Sequence, residues 1–250
     1  MFVRPSRRAV ALALAAQNGR LDTMRQLLRA GVSPDGQGAG KLRVLHHAVA
    51  GGHVEAIELL LAAGGDPNIG EFRNKPPLMH AIAAGRLDLV DALLAGGACW
   101  DHHPRDAIGT ALAKWPADRI GELLDRGVPL DVYGHYVAHE AARGGKLDLL
   151  EQLVAHGVPL DIRDRDGDTP LLTAIHHGVA RVPSYLLSVG ADPDARNHAG
   201  STPLIGAAKR GRAPLVRQLL DAGADPTAAL PDGTTAADVA TGEAADLLSA

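Results

Sequence analysis

Glycine returns along this chain in one register. Gly19, Gly52, Gly85, Gly145, Gly178 and Gly211 mark it, with Trp115 standing where another glycine is due; the spacings are 33, 33, 30, 30, 33 and 33. Eight residues after each mark comes an apolar pair: Leu27/Leu28, Leu60/Leu61, Leu93/Leu94, Leu123/Leu124, Leu153/Val154, Leu186/Leu187 and Leu219/Leu220. A period near 33 held from Gly19 to Leu220 means one structural unit used seven times, each burying its apolar face only against its neighbours.

Each unit reads as two short antiparallel helices. In the seventh, Thr202 is placed to accept from the first free N–H groups of a helix, and Pro203 suits its first position because it has no N–H to lose. Gly211 ends that helix in a left-handed turn. Leu215, Val216, Leu219 and Leu220 make one stripe on the second helix, and Gly223-Ala224-Asp225-Pro226 turns the chain outward. Helices this short are marginal alone, so their stability is collective.

The segments Gly167-Asp168-Thr169-Pro170-Leu171-Leu172-Thr173-Ala174-Ile175-His176-His177-Gly178 and Gly190-Ala191-Asp192-Pro193-Asp194-Ala195 resemble the ankyrin-repeat consensus, and similar text recurs at 200–211, 223–228 and 64–69. The resemblance runs from Ala9 to the end. It implies an all-α fold, a curved solenoid of stacked antiparallel helix pairs with projecting hairpin-like loops, used for binding proteins and carrying no catalytic residues. The expected organisation is a single domain over 1–250, with repeats at 9–35, 42–68, 75–101, 105–131, 135–161, 168–194 and 201–227. Residues 232–250 then form a truncated C-terminal cap.

Composition narrows the function. The chain is 46% hydrophobic yet 3% aromatic, so its core is built from Ala, Leu, Val and Ile in thin layers. One cysteine excludes an internal disulfide and a multi-cysteine metal site. A net charge of −4 leaves no basic excess for a nucleic-acid backbone. No apolar run is long enough to span a membrane. Arg4, Arg7 and Arg8 followed by Ala9–Ala16 have the outline of a short secretory signal, but the segment is in frame with six later helices, which makes it the first helix of repeat one. The expectation is a cytoplasmic monomer; export with residues 1–16 removed is the alternative.

No nucleophile elbow, phosphate-binding loop or His-Glu-x-x-His motif occurs, so neither an enzyme nor a cofactor is expected. The twelve histidines form no expected metal site, because equivalent residues of neighbouring repeats sit about 8–10 Å apart while a zinc ion needs each ligand about 2 Å away. His46 and His139 fill the consensus histidine slot, a structural hydrogen-bonding role. Cys99 takes the place of the turn aspartate. The loop carrying Asp161, Asp164, Asp166 and Asp168 with Arg163 and Arg165 reads as a solvated, self-compensating surface.

The departures from the repeat are the best guide to a binding site. The connections from Gly97 to Ile108 and from Gly127 to Ala138 take 11 residues where others take 14. Five of the seven aromatics, Phe72, Trp100, Trp115, Tyr133 and Tyr136, fall within the 65 residues from 72 to 136. Phe72, Trp100, Tyr133 and Tyr136 map to the loop side. They either fill space left by the short loops or anchor a partner protein, since Trp and Tyr dominate interface hot spots. Trp115 maps to the other end of its helix and reads as packing.

The family's geometry points Glu140, Arg143 and Gly144, then Thr173, His176 and His177, then Gly206, Lys209 and Arg210 into a groove that is polar to basic in the later repeats. His47 and His80 face it earlier. The expected partner site is Phe72, Trp100, His103, Tyr133 and Tyr136, flanked by His80, Glu140 and Arg143. The expected role is a non-enzymatic scaffold that binds another protein through loops and groove. The alternative is an inhibitor or immunity protein that occludes an enzyme, to which the second half of the chain, with 11 basic and 16 acidic residues, is suited.

Overall fold

Alanine at one repeated position explains how the chain manages with so few rings. Ala15, Ala48, Ala81, Ala111, Ala141, Ala174 and Ala207 each stand four residues before the glycine mark, and all are buried. A methyl group there lets neighbouring first helices approach closely. The first leucine of the apolar pair, Leu60, Leu93, Leu123, Leu153, Leu186 and Leu219, fills the layer behind them and is likewise buried. Leu27 in the first repeat is only half-buried.

The structure, a computed structural model, describes residues 6–70, 75–100, 109, 111 and 115–249. The chain forms two compact units. The first comprises the residues up to Trp115 together with Asp125–Val128. It is built from three helix pairs: α1 (Arg7–Gln17) with α2 (Leu21–Arg29), α3 (Val44–Gly51) with α4 (Val54–Ala62), and α5 (Pro77–Ala83) with α6 (Leu87–Ala95). First helices pack side by side, α1 on α3 on α5, and second helices do the same, α2 on α4 on α6.

The second unit comprises Pro116–Leu124 and the chain from Pro129. It begins with α7 (Ala117–Leu124) and continues with α8 (Leu130–Arg143) and α9 (Leu147–Ala155), then α10 (Pro170–His176) and α11 (Arg181–Ser188). α12 (Pro203–Lys209) and α13 (Ala213–Asp221) follow, and α14 (Ala236–Val239) with α15 (Glu243–Leu248) closes it. Here α8, α10, α12 and α14 form one layer and α7, α9, α11, α13 and α15 the other. Among the described residues there is no strand, only the isolated bridges Gln37 to Arg43 and Ala229 to Thr235.

The caps act as the sequence requires. Thr169 Oγ1 accepts from the Leu172 N–H and Thr202 Oγ1 from the Ile205 N–H, both at 3.3 Å. Thr235 and Asp238 cap each other reciprocally at the start of α14. In the 14-residue connection after Gly157 the loop folds back on itself: the Asp164 N–H donates to the Asp168 carbonyl at 3.0 Å and the Gly167 N–H to the Asp164 carbonyl at 3.1 Å. Residues 197–201 and 230–234 repeat that hairpin.

The 11-residue connection after Gly127 does something else. Three residues fewer leave no chain for a hairpin, and no Thr-Pro pair stops the helix from growing backward. α8 therefore begins at Leu130 and runs 14 residues, twice the length of α10. Gly134, Val137, Ala138, Ala141 and Ala142 form its buried stripe at helical spacing. Gly134 packs closely there: a Cβ would come 3.2 Å from Val158 Cγ2. Tyr133 and Tyr136, expected on the loop side, are thus helical residues.

Neighbouring repeats are latched through their outward turns. The Asp66 N–H donates to Asp35 Oδ1 at 2.8 Å, Asp192 to Asp161 at 3.1 Å and Asp225 to Asp194 at 2.9 Å. Asn68 serves the same purpose for the Cys99 N–H at 3.0 Å, which gives Cys99 a place in the framework. Pro129 and Pro159 occupy the donor position in their repeats and have no N–H to give.

Candidate protein-binding surface

The residues singled out from the sequence separate between the two units. Phe72 and His103 lie outside the described residues. His80 in α5 is half-buried in the first unit, where its ring meets that of His46 edge to face with centroids 5.2 Å apart. Trp100 is also half-buried; its Nε1–H donates to the Arg126 carbonyl at 3.3 Å, and Arg126 in turn pairs with Asp91 at 2.6 Å. Trp115 lies over Gly85, where an added Cβ would meet the indole nitrogen at 3.5 Å. Arg212 covers Gly178 in the same manner, donating to the Gly178 and Val179 carbonyls. Trp115 thus covers a neighbouring turn, as a packing residue would.

Tyr133, Tyr136, Glu140 and Arg143 share one face of α8. At positions i, i+3, i+7 and i+10 they fall within a narrow arc, opposite the buried stripe. Arg143 Nη1 donates to Glu140 Oε1 at 2.6 Å, which pairs the two charges on this face. Val132 adds an apolar side chain that is 50% exposed. The extension of α8 thus carries two half-buried tyrosines and a half-exposed valine on a helix.

The same layer of the second unit holds a groove of about 630 Å³. Ile205, Ala199, Leu230 and Val239 supply its apolar surface, and His176, Lys209 and Arg210 its polar edge. His176, Lys209 and Arg210 were legible as groove-facing positions. Leu230 and Val239 were not, because they come from the last hairpin and the cap. A signal existed: Leu230 stands where the two preceding hairpins carry Asp164 and Asn197.

Beneath this layer runs a chain of buried polar groups. The His139 Nε2–H donates to the Ile162 carbonyl at 3.1 Å, and the Thr173 hydroxyl, 2.8 Å away, donates to Nδ1. Burial pushes the pKa of His139 below its ordinary value, which favours the neutral ring, and the Ile162 carbonyl, which can only accept, fixes the tautomer. His46 is anchored likewise, its Nε2–H donating to the Lys75 carbonyl at 3.0 Å.

One carboxylate of the acidic loop departs from its expected solvated state. Asp168 is buried and accepts from the His176 Nδ1–H and the Asn197 amide, each at 2.8 Å. Burial alone would raise its pKa, but the bonds from His176 and Asn197 outweigh that and leave it below the usual carboxylate range. Asp164 binds the N–H groups of Asp166 and Asp168, and Arg163 reaches the Gly167 and Arg196 carbonyls. The loop is braced from within, while Asp161, Arg163, Arg165 and Asp166 stay exposed as expected.

Among the described residues no three His, Cys, Asp or Glu side chains are placed to hold a metal ion, and no helix is long and apolar enough to cross a membrane.

Comparison with known proteins agrees with this architecture. A family model described as ankyrin repeats in three copies matches residues 12–103 and 138–230. No curated protein matches the sequence. Among solved structures, the ankyrin repeat domain of Bcl-3, described as a unique member of the IkappaB protein family, is 23% identical, with 96% of this chain and 98% of that one covered at a TM-score of 0.50. The human ASB11 ankyrin repeat domain is 27% identical, with 95% and 96% covered at a TM-score of 0.42. The fold is the all-α one of stacked antiparallel helix pairs with projecting loops, and such repeats are in general protein–protein interaction modules. With most of its length matched, the chain belongs to the ankyrin-repeat family.

Proposed function

We propose that the chain is a non-enzymatic scaffold that recognises another protein through one face of its second unit, centred on Tyr133, Tyr136, Glu140 and Arg143 of α8. The observation that carries this reading is the face of that helix opposite its buried stripe. It carries two half-buried tyrosines and a paired Arg–Glu, with a half-exposed valine near them, in the layer that also holds the groove. Interface anchors are enriched in Tyr and Arg and gain most when they are already held in place before binding.

The test uses the full chain as bait, alongside the Tyr133→Ala/Tyr136→Ala variant. Proteins retained by each are quantified by mass spectrometry, and circular dichroism and urea unfolding check the fold. Loss of two interface tyrosines should cost about 2–4 kcal/mol, at least thirtyfold in affinity, so the specific partner should disappear from the variant. A partner held equally by both folded proteins would remove α8 from the binding surface.

A further inference from the structure

The groove at the C-terminal end of the array has a chemistry of its own. Its polar edge is cationic: Lys209 and Arg210 line it, and among the described residues no carboxylate does. The nearby Asp168 does not line the groove; its oxygens accept from His176 and Asn197. Arg210 is fixed in position, with Nη2 donating to the His176 carbonyl at 2.7 Å and Nη1 to the Gly206 carbonyl at 3.4 Å. Its remaining N–H groups are presented without further loss of side-chain freedom. Among the described residues the exposed Lys209 side chain, at the end of α12, has no hydrogen-bond or ion-pair partner. The rest of the wall is aliphatic, from Ile205, Leu230 and Val239. At about 630 Å³ the space falls in the ~300–1,000 Å³ range of sites that enclose small ligands.

We propose that this groove takes a short acidic segment of a partner protein: an aspartate or glutamate meets Lys209 and Arg210, and a neighbouring aliphatic side chain enters between Ile205, Leu230 and Val239. The inference rests on the protein-binding reading above and adds the class of segment bound. Charge argues for a short segment over a long polyanion. The two cations sit in a half of the chain that carries 11 basic against 16 acidic residues, so an extended nucleic acid would meet net repulsion outside the groove. A few acidic residues confined to the groove meet its two lining cations.

The experiment measures fluorescence anisotropy of a fluorescein-labelled peptide, Glu-Leu-Asp-Glu-Leu-Glu, titrated with the full chain. A lysine-for-acid version of the peptide and a single-stranded oligonucleotide serve as comparators. The acidic peptide should bind saturably and the comparators should not. Raising salt from about 0.1 M to about 1 M shortens the screening length from ~10 Å to ~3 Å and should weaken binding. Lys209→Glu should weaken it about tenfold by replacing an attraction with a repulsion, while Lys209→Arg should retain it. Val239→Asp should weaken it as well, through the aliphatic wall.

Equal binding of the basic peptide or the oligonucleotide would overturn the proposal. So would the absence of acidic-peptide binding up to about 1 mM, a free energy of roughly −4 kcal/mol. Unchanged affinity in a folded Lys209→Glu protein would do the same. A natural partner that depends on Tyr133 and Tyr136 but ignores Lys209→Glu would overturn this inference alone and leave the scaffold reading standing.

Discussion

Replacing Thr173 with valine removes one oxygen and little volume, yet the structure assigns it a definite cost. Thr173 and His139 are both buried, and their Oγ1 to Nδ1 distance is 2.8 Å. The other ring nitrogen is committed to the Ile162 carbonyl at 3.1 Å, so the ring cannot exchange tautomers to escape. Valine would leave Nδ1 buried without a donor. The lost bond and the stranded acceptor together should cost about 1–3 kcal/mol. Taking ~2 kcal/mol and a urea slope of ~3 kcal/mol per molar, the unfolding midpoint should fall by roughly 0.7 M. A double-mutant cycle isolates the pair: with His139 replaced by Phe, Thr173→Val should cost little, because no acceptor remains to be stranded. Strict additivity in that cycle, or a midpoint unmoved by Thr173→Val alone, would refute the reasoning.

The Thr202→Ala variant loses the bond to the Ile205 N–H at the start of α12, and its stability in urea should fall by about 0.5–2 kcal/mol. Stability should also decline in acid in two separable windows. His139 has its folded pKa below the unfolded value of 6.5, so its contribution is intact above that value and is lost as pH falls beneath it; His139→Gln should flatten urea midpoints measured between about pH 7 and pH 5. Asp168, also lowered, contributes above the unfolded value of 3.8 and loses that contribution as pH falls through its lower folded value; Asp168→Asn should flatten only the lowest part of the profile.

The repeat frame was legible because each of its marks has a local physical cause. Glycines at the inter-helix turns adopt positive φ, threonines cap, and proline follows at the first helical position. The conformation of the short connection before Ala138 was not legible. Counting residues revealed the deficit, but that helix fills it shows only in the packing of the extended stripe, with Gly134 against Val158. Gly134 itself masked the pattern, since glycine in a helix costs about 1 kcal/mol relative to alanine and reads as a break. Asp168 misled for a different reason. In sequence it is one acid among several, and its burial depends on Asn197, 29 residues away. Trp100 carried an aromatic signal that the sequence could not divide between packing and recognition; its bond to the Arg126 carbonyl ties it to the framework of its own unit.

The latches between successive turns bear on how such a chain can lengthen. Acceptor and donor stand 31 residues apart, as in Asp161 with Asp192 and Asp194 with Asp225, while the repeat itself is 33 residues long. A block copied in register therefore brings one carboxylate for the turn after it and one amide for the turn before it. Gene duplication can add such a block without inventing a new interface or stranding a donor. Copies taken across Pro129 or Pro159 bring no amide, so growth by duplication is best supported where aspartate, and not proline, holds that position.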